Sequence, residues 1–103
     1  MSNNEVWGRR LKEARLRAGL SQKQLGIQAG LDQFVASTRI NRYELGVHKA
    51  DFQIATRLAA VLDVPAAYFY AENDELADWI LLYSKLNNRQ REQAWLLLDQ
   101  QIS

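Results

Sequence analysis

Apolar residues recur along the chain at the spacing of an amphipathic helix, and glycine or small polar residues interrupt them. In the first segment, Trp7, Leu11, Ala14 and Ala18 fall at i, i+4, i+7 and i+11, which predicts a helix over residues 5–18. The same spacing predicts helices over 22–29, 32–45 and 51–62, a short fifth helix after Pro65, and two more within 74–102. No segment alternates apolar and polar residues between turn signals, as a strand would. The pattern therefore predicts an all-α fold.

The stretch GLSQKQLG, residues 19–26, predicts that one helix ends and another begins with almost no loop between them. Gly19 suits the left-handed conformation that ends many helices, and Leu20 supplies the apolar contact that often follows. Ser21 and Gln24 have the spacing of a capping box, in which each side chain accepts a hydrogen bond from the other residue's backbone N–H. The stretch therefore predicts two short helices joined at a fixed angle.

Charge is distributed unevenly, although the net charge of the 103 residues is only +1. Residues 1–50 contain nine Lys or Arg and four Asp or Glu, which gives a net charge of +5. Residues 51–103 contain four basic and eight acidic residues, which gives −4. A basic half beside an acidic half suggests one part that faces a polyanion and another part with a different task.

Three segments, taken in order, resemble the lambda-repressor-like helix-turn-helix family, also called the Xre type. They are RLKEARLRAGLSQKQLG, INRYELG and RLAAVLDVPAAYF, and they span residues from about 9 to 70. The resemblance implies a five-helix DNA-binding domain at 1–70 and a C-terminal helical extension at 71–103. It also implies that the third helix lies in the major groove of double-stranded DNA.

The resemblance also implies roles for individual residues. Outward positions of the third helix, where Arg, Asn and Thr can contact base edges, are Ser37, Thr38, Asn41 and Arg42. Positions implied to contact DNA phosphate are Gln22, Lys23, Arg39, His48 and Lys49. Arg15 and Glu44 match a structural ion pair that braces the third helix against the first. For Arg42 the alternative is a phosphate contact, which would add affinity without sequence information.

The stretch LDQFVA, residues 31–36, makes the segment before the third helix about five residues longer than the short family pattern. Either the third helix begins near Gln33 and is one turn longer, or a loop precedes it. We expect the longer helix, because Asp32 is a good N-cap residue and no helix breaker follows it. This prediction requires burial of Phe34 and Val35, and it makes Gln33 a further candidate contact.

The tail after residue 70 is acidic and rich in large apolar residues, with WILLY at 79–83 and AWLLL at 94–98. Two short helices cannot bury these side chains between themselves, so they need another surface. We favour a homodimer, because twofold dimers commonly bind paired half-sites. Its predicted interface consists of Trp79, Ile80, Tyr83, Leu86, Trp95, Leu98 and Ile102. The alternatives are a tail that completes the monomer core, and an antitoxin or interaction module whose apolar helices bind a partner protein.

The function favoured by these features is a sequence-specific DNA-binding regulator, and in the simplest case a repressor at an inverted-repeat operator. An enzyme is not expected, because the chain has no cysteine, one histidine and no phosphate-binding glycine loop. No cofactor, metal or small-molecule ligand site is expected either. No apolar run approaches the ~20 residues that cross a membrane. The lack of cysteine agrees with a reducing compartment, so we expect a cytoplasmic protein.

Overall fold

The computed structural model describes residues 3–103, and these form six α-helices and one 3₁₀ helix without a strand. The elements are α1 (Asn3–Arg17), α2 (Gln22–Gln28), α3 (Ala36–Glu44), α4 (Phe52–Leu62), the 3₁₀ helix (Ala66–Tyr70), α5 (Asp74–Lys85) and α6 (Asn88–Ile102). The all-α prediction is confirmed, and the fifth element of the domain is a 3₁₀ helix. None of the helices within residues 3–103 has both the length and the apolar character needed to cross a membrane.

The junction between α1 and α2 is as tight as the sequence predicts. Gly19 has φ +72°, a left-handed conformation that a residue with a Cβ adopts at a cost of roughly 1–2 kcal/mol. The Ser21 hydroxyl accepts the N–H of Gln24 at 3.0 Å, and the Gln24 side chain accepts the N–H of Ser21 at 2.8 Å. The predicted capping box is therefore confirmed, and it fixes where α2 begins.

The start of α3 differs from the prediction. Residues 33–35 form a turn, and the Asp32 carboxylate accepts the N–H of Phe34 at 2.8 Å inside that turn. Asp side chains form such local turns as readily as they cap helices, so the expected longer helix was wrong. Phe34 is 85% exposed and Val35 is 43% exposed, so their predicted burial was also wrong. Val35 occupies the N-cap position of α3 without a side-chain hydrogen bond.

One core joins the four helices of the domain to the 3₁₀ helix. Its largest fully buried side chains are Leu11, Leu25, Ile40, Leu58, Tyr68 and Phe69. The Trp7 ring lies 4.8 Å from Phe69 and 6.1 Å from Tyr43, centroid to centroid. One face of α3 therefore packs against the core, and its opposite face is exposed to solvent.

Arg10 connects α1 to the start of the tail, although it is only 2% exposed. Its Nε donates to the carbonyl of Ala71 at 2.9 Å, and its Nη1 lies 3.1 Å from Glu13 and 3.0 Å from Asp74. Burial disfavours the charged guanidinium, but the hydrogen bonds and charges of Asp74 and Glu13 outweigh burial and raise the pKa of Arg10. Arg10 therefore stays charged at working pH and holds Ala71 against the domain.

Replacing Arg10 with alanine is expected to lower the free energy of unfolding by about 2–3 kcal/mol, because it leaves the buried Ala71 carbonyl without its donor. Asp74→Asn is the matched control, since its side chain is 81% exposed and its ion pair is screened. We expect that control to cost less than about 1 kcal/mol. Urea denaturation of both variants measures the difference, and equal losses would contradict a role for the Ala71 carbonyl.

Of the two helices of the tail, α5 packs against the core of the domain and α6 does not. Ala77 is buried, and the half-buried Ile80 and Leu81 pack against the same core. No residue of α6 is buried. Arg91 ties α6 to α5, because its guanidinium lies 4.2 Å from the Tyr83 ring centroid and donates to the Tyr83 carbonyl at 3.1 Å. The described chain is accordingly elongated, with extents of 52 × 29 × 22 Å.

The tail exposes a large apolar surface. Nine of its large apolar side chains are between 46% and 86% exposed: Leu76, Trp79, Leu82, Tyr83, Trp95, Leu96, Leu97, Leu98 and Ile102. Of the residues predicted to form a dimer interface, Ile80 instead faces the core, and Leu86 is half-buried. Within the described residues, these apolar side chains of the tail are therefore left uncovered.

Candidate nucleic-acid interface

The outward face of α3 carries the side chains that were predicted to contact bases. The inward residues Ala36, Ile40 and Tyr43 are buried. Ser37, Thr38, Asn41 and Arg42 are all exposed, as is Arg39 to their side. Because the core and α2 hold the other side of the helix, these four side chains project from a fixed backbone.

A chain of polar contacts runs from α1 through α3 to the beginning of α2. Arg15 Nε lies 2.6 Å from Glu44 Oε2, and Arg15 Nη2 donates to Glu44 Oε1 at 3.1 Å. The side chains of Arg15 and Glu44 are 9% and 3% exposed. Gln22 Nε2 donates both to Glu44 Oε1 at 3.1 Å and to Asn41 Oδ1 at 3.2 Å. The buried ion pair therefore positions Gln22 on α2 and, through Gln22, Asn41 on α3.

These contacts change how Gln22 can meet DNA. A glutamine amide has two N–H donors, and both are used within the protein. The side chain consequently has no N–H left for a phosphate while this network is intact. The backbone N–H groups in the first turn of α2 remain suited to that contact. Asn41, whose oxygen faces Gln22, is left with its amide N–H donors for a base edge.

Gly26 allows α2 and α3 to approach closely. A Cβ at this position would lie 2.7 Å from the Cβ of Ala36 and 3.0 Å from its Cα, closer than packed atoms tolerate. Any side chain here would push the first turn of α3 away from α2. Gly26 was not predicted as a site residue. A small residue within a helix does not indicate from sequence alone that another helix approaches it.

The basic residues around α3 fall into two groups. Arg39 is engaged by Tyr43, since its guanidinium donates to the Tyr43 hydroxyl and lies 5.7 Å from the ring centroid. Lys23, His48 and Lys49 are exposed. Within the described residues, Lys23, Lys49 and Arg42 form no ion pair, so their charges are available to an external anion.

An open cleft of about 590 Å³ lies beside the loop that carries His48 and Lys49. Its other walls include Trp7 and Tyr70, and the buried Trp7 Nε1 has no acceptor among the described residues. The sequence pattern did not indicate this cleft. It adjoins the basic loop at the surface rather than forming an enclosed pocket.

Comparison with known proteins places this geometry in a family. The sequence profile of the helix-turn-helix family matches residues 11–69. The crystal structure of the transcriptional regulator BswR is similar to this chain, with a TM-score of 0.84 and 46% sequence identity over 90% of this chain and 92% of that chain. No curated protein matches the chain significantly. The chain thus belongs to the lambda-repressor-like, Xre-type helix-turn-helix family of DNA-binding transcriptional regulators.

Proposed function

We propose that the protein is a repressor that binds an inverted-repeat operator as a homodimer, with α3 of each copy in the major groove. The outward face of α3 carries this proposal, because it presents unpaired donors on a helix that the core and Gly26 hold in place. A DNA-binding protein can block transcription simply by occupying a promoter. Repression is therefore the expected consequence of binding.

The proposed base contacts follow from the chemistry of the side chains. Arg42 can donate two hydrogen bonds to a guanine, and the amide of Asn41 can pair with an adenine. Ser37 and Thr38 can contact either hydrogen-bonding groups or a thymine methyl group. The proposed phosphate contacts are Lys23, Arg39, His48, Lys49 and the backbone at Gln22.

The exposed tail supports the proposed dimer. Its nine exposed apolar side chains present an area on the order of 1,000 Å², compared with ~800 Å² per partner in a typical stable interface. Soluble monomers rarely leave contiguous apolar patches of more than a few hundred Å² uncovered, so part of this area is expected to lie in an interface. A second copy is the simplest cover, because a twofold dimer would also supply the second reading helix.

The same surface favours one other function, an antitoxin or interaction module in which a partner protein covers the tail. Sedimentation velocity distinguishes the two. A stable dimer of the isolated protein supports the homodimer. A monomer that aggregates through its tail supports a missing partner.

The proposed function is tested by selecting binding sites from randomised duplex DNA with the full-length protein and with Arg42→Ala. We expect the wild type to recover an inverted repeat. We expect Arg42→Ala to lose preference at one position of each half-site, because a bidentate base contact discriminates by ~1–3 kcal/mol. Arg89→Ala, an exposed arginine on α6, is the matched control and should recover the wild-type site. A uniform loss of affinity in Arg42→Ala would make Arg42 a phosphate contact.

A further inference from the structure

The turn before α3 presents an aromatic ring that the domain does not use for packing. Phe34 is 85% exposed, and it lies two positions before Ala36, the first residue of α3. In helix-turn-helix proteins the N-terminal end of the reading helix contacts base edges. The Phe34 ring therefore lies at the end of α3 that approaches DNA.

The turn holds Phe34 in a defined position. The Asp32 carboxylate accepts the N–H of Phe34 at 2.8 Å, and the Asp32 carbonyl accepts the N–H of Val35 at 3.1 Å. The close contact between Gly26 and Ala36 fixes the backbone immediately afterwards. The backbone that carries the Phe34 ring is therefore fixed before binding, so no backbone freedom has to be lost to place the ring against DNA.

The chemistry of the turn excludes a phosphate clamp. Residues 31–36, LDQFVA, contain no Lys or Arg, and the Asp32 carboxylate would repel a phosphate. The exposed side chains of the turn residues 33–35, which are Gln33, Phe34 and Val35, are instead apolar or neutral. An apolar ring offers a base pair no hydrogen bond, but it can pack on the C5-methyl group that distinguishes thymine in the major groove.

We propose that Phe34 is a further specificity-determining residue, whose ring packs on the methyl group of a thymine at the edge of the sequence that α3 contacts. This proposal rests on the proposed function, because it requires α3 to enter the major groove. It adds a contact outside the helix itself, supplied by the stretch that departs from the short family pattern.

The test combines a change in the protein with a change in the DNA. Each thymine of the selected operator is replaced in turn by deoxyuridine, which removes the methyl group and keeps the hydrogen bonds. For the wild type, one such replacement per half-site should weaken binding by about 3- to 5-fold, the effect of one buried methyl group. Phe34→Ala removes the ring from both copies of the dimer, so the unmodified operator should already be weakened by about the square of that factor, roughly 10- to 25-fold. Deoxyuridine at that position should then have no further effect.

Two controls separate this contact from other effects. Phe52→Ala removes another aromatic ring, one that is 80% exposed at the start of α4, and should retain the full deoxyuridine effect. The slope of log K against log salt should be unchanged in Phe34→Ala, since no phosphate contact is lost. Because Phe34 is exposed, thermal unfolding monitored by circular dichroism should also match the wild type.

The inference is overturned if Phe34→Ala and every deoxyuridine replacement act independently, or if Phe34→Ala changes the sedimentation coefficient instead of the DNA affinity. The latter result would make the ring a subunit contact. If Arg42→Ala relaxes one operator position but no thymine couples to Phe34, this inference alone fails. If the wild type selects no site at all, the proposed function fails with it.

Discussion

Replacing Glu44 with alanine is expected to lower the free energy of unfolding by about 3–5 kcal/mol, because it leaves the buried Arg15 guanidinium without its partner. The same change should weaken binding to the selected operator, because Gln22 loses one of its two acceptors and is then held less firmly beside Asn41. Urea denaturation measures the first effect. Fluorescence anisotropy with a labelled operator measures the second, under conditions in which the variant remains folded.

A double variant separates the two effects. Arg15→Met with Glu44→Leu replaces the ion pair with apolar side chains of similar size, which often restores or increases stability. We expect it to recover most of the unfolding free energy that Glu44→Ala loses. It should not recover DNA affinity, because neither replacement accepts a hydrogen bond from Gln22. A loss of less than about 1 kcal/mol in Glu44→Ala would contradict the buried pair, since solvated pairs contribute that little.

Replacing both Trp79 and Trp95 with serine is expected to weaken dimerisation by roughly 100-fold or more, because buried tryptophans are typically the strongest contributors to an interface. These rings are 54% and 70% exposed in the single chain, and the core does not depend on them. The variant should therefore remain folded as a monomer. Sedimentation equilibrium measures the dimer dissociation constant. The affinity of the variant for the paired operator should also fall, by about 10²- to 10⁴-fold, because a monomer cannot bind both half-sites at once.

The matched control is Leu16→Ser, which removes an apolar side chain that is 59% exposed on α1 and is not among the predicted interface residues. It should leave both the dimer and the operator affinity unchanged. If the tryptophan variant remains dimeric, the interface lies elsewhere on the chain. If the wild type is already monomeric and stable at micromolar concentration, the tail has no role in self-association.

Helix boundaries were predictable where a local hydrogen bond fixes them. Ser21 and Asp51 cap α2 and α4 through their own side chains, and each is visible in the sequence as a polar residue before an apolar stripe. The start of α3 had no such mark, because Val35 occupies its N-cap and Asp32 serves a turn instead. The start of α3 was predicted wrongly because an aspartate such as Asp32 can either cap a helix or stabilise a turn.

The family resemblance predicted the Arg15–Glu44 ion pair, which the structure contains, but it did not predict the hydrogen bonds that extend this pair to Gln22 and Asn41. The family resemblance indicated Gln22, Asn41 and Glu44 separately, yet their hydrogen bonds join residues about 20 positions apart in the chain. Only tertiary packing brings those side chains together. The exposed Phe34 was misjudged for a related reason, since an apolar residue is expected inside unless a ligand or partner covers it.

The three tryptophans have different surroundings, and this has a spectroscopic consequence. Trp7 lies in the core beside Phe69, whereas Trp79 and Trp95 stand in solvent until the proposed partner covers them. The emission spectrum of the protein therefore combines one fluorophore that responds to unfolding with two that respond to association. Dilution should shift the emission to longer wavelength without any loss of helix, and the variant that retains only Trp7 should show no such shift.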